Sequence, residues 1–230
     1  MDGRTTVVTG ASRGLGAAVA RRFAAAGARV VCCARDADAV GDVVADIEAE
    51  GGTATALRAD VRDEFDVERL AETAAREGGS IDYVVANAGV NHAEPGEAPL
   101  HEESYGRFDD TLRTNVRGVF ATVRESVPHL APDARVLVPS GAVAREAKPG
   151  MGAYAVSKAA AEGLVRGFAA DLDHVVCAVD PGLVATDVSG GRGRDPADVA
   201  PMFQWAASEA EGDEVDGEVV DLRTWKSATR

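Results

Sequence analysis

The sequence predicts an α/β fold: a mainly parallel sheet of about seven strands, doubly wound, with helices on both faces. Three observations carry that expectation. Short apolar runs alternate with longer segments of helical periodicity from the first residues onward, the pattern of successive βα units. Runs such as Arg29 to Cys33 are almost continuously apolar, as strands buried on both faces are. The 230 residues, 46% of them hydrophobic, suffice for one sizeable core, so residues 1–230 are expected to form a single domain.

The elements follow in order. Arg4 to Thr9 is an apolar run ending at glycine, and Gly14 to Gly27 carries Leu15, Val19, Ala20 and Phe23 at helical spacing. Arg29 to Cys33 is the second strand. A helical segment from Ala37 to Glu50 stops at Gly51-Gly52, and Thr53 to Arg58 reads as strand three. A helix near Glu64 to Glu77 leads to the strand Asp82 to Ala86. The loop Asn91 to Leu100 contains Pro and Gly and precedes helical sequence through about His129. Strand Arg135 to Val138, helix Ala153 to Asp171, strand Val175 to Val179, a short helix near Ala197 to Ser208 and strand Glu218 to Leu222 complete the series. Ser189 to Gly193 offers little apolar surface and is expected to be the most mobile loop.

Charge and composition exclude several classes of function. A net charge of −14 disfavours nucleic acid or an anionic membrane as partner, because both require a basic footprint. Strand-like sequence begins at once, without the flanks of a signal peptide, and no apolar stretch approaches the roughly 18 to 20 residues of a spanning helix. A cytoplasmic protein is expected. Cys32, Cys33 and Cys177 lack metal or disulfide spacing and read as core residues, and His92, His101, His129 and His174 are scattered, so no metal is expected. The 24 basic residues include only three lysines, Lys148, Lys158 and Lys226. This bias suits either a protein kept hydrated in high salt or a biased base composition of the genome.

Two motifs carry chemistry. Thr9-Gly10-Ala11-Ser12-Arg13-Gly14-Leu15-Gly16 joins the first strand to the first helix, where a helix N-terminus attracts anions and glycines let a pyrophosphate approach the backbone. Tyr154-Ala-Val-Ser-Lys158 places a phenol and an ammonium four residues apart on one helical face. A nearby cation favours the phenolate and would make Tyr154 a usable acid or base.

The spacing Gly10-x-x-x-Gly14-x-Gly16, together with Tyr154-x-x-x-Lys158, resembles the short-chain dehydrogenase/reductase family, and the resemblance covers nearly the whole chain. It implies a Rossmann-type domain binding NAD(P) through Gly10, Ser12, Arg13, Gly14, Leu15 and Gly16. Asp60-Val61 falls where the family contacts adenine, Asn87-Ala88-Gly89 follows strand four, and Pro181-Gly182 with Val184 and Thr186 follows strand six. Tyr154 and Lys158 also join the cofactor-binding set. By the same resemblance Ala34 occupies the place of an NAD-selecting acid and Arg35 that of the basic residue of NADP-preferring members. Arg13 is a second candidate for the 2′-phosphate, so NADP(H) is expected over NAD(H).

At the reaction centre the resemblance implies Tyr154 as general acid or base, Lys158 as the residue lowering its pKa and binding the nicotinamide ribose, and Asn115 as holder of a relay water. The family's substrate-binding serine usually stands thirteen residues before the tyrosine, where this chain has Gly141; Ser140 is one residue earlier. Two readings are open. Ser140 serves through altered local geometry, which is the expectation, or the serine role is absent. The implied function is hydride transfer between NAD(P) and a small carbonyl or secondary alcohol, by a homodimer or homotetramer. The alternatives are a 3-oxoacyl carrier-protein reductase-like enzyme and a dinucleotide-binding sensor without catalysis. Substrate choice is expected in Val90 to Tyr105, Ala142 to Met151 and the segment after Thr186.

Overall fold

The computed structural model describes residues 1–230. Seven parallel strands form one sheet in the order β3-β2-β1-β4-β5-β6-β7. They are β1 (Thr5–Thr9), β2 (Arg29–Ala34), β3 (Thr53–Arg58), β4 (Ile81–Val85), β5 (Leu130–Pro139), β6 (Val175–Asp180) and β7 (Val219–Asp221). The helices are α1 (Gly14–Ala25), α2 (Ala37–Ala49), α3 (Glu64–Gly78), α4 (Tyr105–Leu112), α5 (Gly118–Ser126), α6 (Gly152–Asp171), α7 (Pro196–Ser208), α8 (Gly212–Val215) and α9 (Leu222–Ala228).

Side chains on a strand point alternately to opposite faces, and the two cores divide accordingly. Val8, Val30 and Cys32 pack with Phe23 of α1, Ile47 of α2 and Phe203 of α7. Their chain neighbours Val7, Val31 and Cys33 pack on the other face with Leu70 of α3, Val119 and Val123 of α5 and Val165 of α6. Both faces are therefore dry over β1, β2 and β4, which are buried almost throughout, whereas the edge strand β3 buries only Ala54. Burial pushes each of the three cysteine thiols up to about 12, so they are small core residues rather than nucleophiles.

Sequence order reverses beside β1, which pairs with β2 on one side and β4 on the other. The crevice beyond the carboxyl ends of these strands is the ligand position of a doubly wound sheet.

Several local features depart from expectation. β5 begins at Leu130, earlier than the apolar core of the run, because Leu130 pairs with Ile81 ahead of a register shift in β4. Between α4 and α5 the helix passes through a π turn at Arg113–Arg117, so Asn115 sits where the ordinary ladder is interrupted. α8 and α9 are additions to the expected series; Asp221 caps α9 by accepting from the Thr224 backbone N–H at 2.7 Å.

Ser189 to Gly193 is not a loose loop. The Ser189 side chain sits 2.7 to 2.9 Å from the carbonyls of Val184, Thr186 and Arg192, and the backbones of Leu183, Ala185 and Arg194 exchange hydrogen bonds. Polar ties replace the missing apolar contacts there. No helix is long and apolar enough to cross a membrane.

Candidate active site

A cleft of about 1320 Å³ opens over the sheet's switch point and runs from the glycine loop to α6. Gly10, Ser12, Arg13, Gly14, Leu15, Gly16, Arg35, Asp60, Val61, Asn87, Ala88, Gly89, Ser140, Tyr154, Lys158, Pro181, Gly182, Val184 and Thr186 all line it. One cavity thus gathers every residue expected at the site except Asn115.

The glycine loop fits a dinucleotide pyrophosphate. Gly10 and Gly14 have φ of +67° and +56°, which L side chains rarely adopt. A Cβ at Gly16 would fall 2.5 Å from Asn87 Nδ2 and closer still to the Gly10 carbonyl oxygen. Asp36, Asp63, Ser104 and Asp195 cap their helices with side-chain oxygens, whereas α1 has no side-chain cap. Its first-turn N–H groups are therefore left for an anion.

Around the loop, the expected cofactor residues divide into braces and walls. Asn87 Nδ2 donates to the carbonyls of Thr9 and Gly10 at 2.9 and 3.1 Å, and Ala88 N donates to Thr9 Oγ1 at 3.1 Å. Asn87 thereby ties the end of β4 to the loop. Arg13 pairs with Asp187 at 2.9 Å across the cleft mouth, an exposed contact worth at most about 1 kcal/mol. Asp60 is held by Arg62 at 2.6 Å, which keeps its carboxyl below the usual range. Arg62 also pairs with Asp110 at 2.8 Å. Arg35 is exposed and makes no ion pair, so its guanidinium remains available to a ligand.

Deeper in the cleft lies the α6 pair. Lys158 Nζ stands 5.7 Å from the Tyr154 ring centroid and donates to the Pro139 carbonyl at 2.9 Å. The expectation that Lys158 lowers the Tyr154 pKa is not met. Burial, with Asp180 nearby, pushes the Tyr154 phenol up to about 12, and burial brings Lys158 down to about 8. Desolvation is the largest cause of both shifts; Asp180 adds to the rise at Tyr154, while Glu162 and Asp180 favour the charged lysine without cancelling its desolvation.

Asn115 also acts differently from a simple water holder. Its side chain accepts from Val90 N at 2.8 Å and donates to Val90 O at 2.9 Å and to Ser157 Oγ at 3.0 Å. Ser157 in turn donates to the Tyr154 carbonyl at 2.7 Å. Asn115 therefore clamps the start of the substrate loop to the helix that carries Tyr154. Both Nδ2 protons are committed, so a relay water would meet Asn115 through the remaining lone pair of Oδ1 or through backbone groups of the π turn.

Ser140 requires a second correction. Its hydroxyl donates to Glu162 Oε1 at 2.6 Å rather than standing free beside Tyr154. Gly141 is extended, and a Cβ built on it would meet only Val143 Cγ1 at 4.0 Å. Neither position offers a free serine proton to a ligand. Glu162, Arg145 and Asp180, which Ser140 joins, escaped sequence reasoning. Periodicity could have found Glu162, which lies four residues beyond Lys158 on the same helical face; nothing local points to Arg145 or Asp180.

Comparison with known proteins agrees with this geometry. Residues 4–197 match the family model for short chain dehydrogenases. A probable tetrahydroxynaphthalene reductase of Zymoseptoria tritici is 36% identical over 194 residues, 82% of this chain and 71% of the relative. A short chain dehydrogenase from Burkholderia cenocepacia, solved in complex with NADP, superimposes with a TM-score of 0.86 at 32% identity, covering 96% of each chain. A 3-ketoacyl-(acyl-carrier-protein) reductase from Brucella melitensis, complexed with NADH, gives a TM-score of 0.86 at 27% identity over 96% of this chain and 97% of the neighbour. A glycine cradle at the switch point, a Tyr–Lys pair in the same cleft and these likenesses make the chain a member of the short-chain dehydrogenase/reductase family of oxidoreductases.

Proposed function

We propose that this oxidoreductase interconverts a small carbonyl compound and its secondary alcohol with NADP(H) in preference to NAD(H), and that Tyr154 exchanges the proton. The observation that carries the proposal is the placing of Tyr154 and Lys158 in the same cleft as the glycine cradle. A bound nicotinamide would supply or accept the hydride. Gly10, Gly14 and Gly16, with the uncapped start of α1, would hold its pyrophosphate, and Lys158 its ribose.

A phenol held protonated by burial can donate to a developing alkoxide in reduction and must lose its proton to serve as base in the reverse reaction. Apolar walls from Val90, Val143, Met151, Leu183 and Val188 would exclude water from that oxygen. Arg35 supports the choice of NADP(H), because an unpaired guanidinium on the cleft wall can meet a 2′-phosphate. The family resemblance suggests a homodimer or homotetramer, which light scattering would read directly.

Two measurements test the reading. Tyr154→Phe is expected to lower kcat at least about 100-fold while leaving cofactor affinity within a few-fold; turnover surviving at near wild-type rate would reject Tyr154. Comparing kcat/KM for NADPH and NADH tests the cofactor. The wild type should favour NADPH, and Arg35→Asp should shift the ratio toward NADH; an unchanged ratio would remove Arg35 from the assignment.

A further inference from the structure

Behind the reactive pair lies a buried polar cluster that the proposed chemistry does not use. Glu162, 5% exposed, extends the line of Tyr154 and Lys158 along α6. Asp180, 6% exposed, ends β6 and accepts from Gly182 N at 3.0 Å. Arg145, from the substrate-loop side of β5, bridges the two carboxylates. Ser140 completes the cluster through its 2.6 Å bond to Glu162 Oε1.

The polarity of that bond follows from its neighbours. An arginine has only donors, and Arg145 bonds the same Oε1 that Ser140 does. Oε1 is thus an acceptor from both sides, and the proton in the Ser140–Glu162 bond is the serine's. A hydroxyl has one proton. While Glu162 holds it, Ser140 can present only lone pairs to the cleft, and a carbonyl oxygen there needs donors.

We propose that Glu162 is a positioning residue that keeps the Ser140 hydroxyl proton away from the substrate oxygen, leaving Tyr154 as the side-chain donor. Arg145 and Asp180 hold Glu162 in place. The proposal rests on the assignment of Tyr154 above and deepens it. For Ser140 to reach the substrate, a bond to a charged acceptor must break, which costs about ten- to hundredfold in an equilibrium constant. The chain therefore departs from the arrangement its family resemblance implies at one hydroxyl, not at the tyrosine.

The test is a double-mutant cycle of Ser140→Ala with Glu162→Met, which removes the acceptor at similar volume. Unfolding constants from denaturant titration come first, because they need no substrate. Ser140→Ala should raise the unfolding constant about tenfold or more in the wild type, and by less than about a third of that factor in the Glu162→Met background. Equal factors in the two backgrounds would overturn the proposal. If Glu162→Met does not fold, Glu162→Gln replaces it, and the serine effect must still shrink, since a neutral acceptor bonds about half as strongly.

Turnover supplies the second readout, with NADPH and the fastest substrate among p-nitrobenzaldehyde, acetophenone, cyclohexane-1,2-dione and acetoacetyl-coenzyme A. Ser140→Ala should lower kcat less than about tenfold in the wild type and by a larger factor once Glu162 is replaced, with KM little changed. A larger loss in the wild type, or the same loss in both backgrounds, refutes the inference. Tyr154→Phe separates the two levels. If it keeps turnover, the assignment of Tyr154 fails; if it is inactive while the serine effects are equal, only the role of Glu162 fails.

Discussion

Replacing Gly16 by alanine sets two structural effects against each other. Gly16 is buried in the first turn of α1, where alanine would ordinarily be favoured by about 0.5 to 1 kcal/mol. Here the added Cβ would lie 2.5 Å from Asn87 Nδ2 and nearer to the Gly10 carbonyl oxygen. A real Cβ does not tolerate either distance, so Asn87 and the loop must separate. Asn87 would then lose its bonds to Thr9 O and Gly10 O, now 2.9 and 3.1 Å long, at roughly 1 kcal/mol each. Overpacking adds about 1 to 3 kcal/mol. The net destabilisation is about 3 kcal/mol, or a fall of about 6 to 12 °C in Tm at this chain length. Calorimetry measures the shift, and titration with NADPH should show affinity reduced at least about tenfold because the anion cradle has opened. Gly41→Ala is the control: it lies within α2 with nothing near its Cβ, and should stabilise by about 0.5 to 1 kcal/mol. A Gly16→Ala protein as stable as the wild type would refute the argument that close packing, rather than helix propensity, selects glycine there.

Two further predictions concern the cleft. Lys158 titrates at about 8 in the folded protein against an ordinary 10.5, so the unfolded chain binds more protons between those values and stability rises with pH across the window. The stability of the wild type relative to Lys158→Met should therefore grow by about 2 kcal/mol between about pH 7 and 9.5; a constant difference in paired urea titrations would show that the lysine is not desolvated. Gly141→Ser should fold with stability within about 1 kcal/mol of the wild type, since the backbone is extended and the Cβ direction is open. A Tm loss of more than about 4 °C would contradict that open space.

Much of the scaffold was legible because short-range rules govern it. Apolar runs became strands because both faces of the sheet are covered, and Gly10, Gly14 and Gly16 fell at the β1–α1 junction, where only glycine suits the backbone or its neighbours. The Tyr154–Lys158 spacing placed both residues on one face because helix geometry leaves little alternative. Ser189 to Gly193 misled for the opposite reason. Its polar composition suggested mobility, whereas a buried serine and a bridge between Val184 and Arg194 tie it down.

What the sequence by itself determined is the order of βα units, the phosphate loop and the helical register of the reactive pair, all consequences of backbone geometry over a few residues. Only the tertiary structure decided what those groups experience. Tyr154 is harder, not easier, to ionise because burial disfavours the phenolate and Asp180 adds to that effect. Ser140 faces Glu162, 22 residues away, because a hydroxyl turns toward its strongest acceptor. Proton positions and desolvation depend on partners that folding brings together from distant parts of the chain, and no local spacing encodes them.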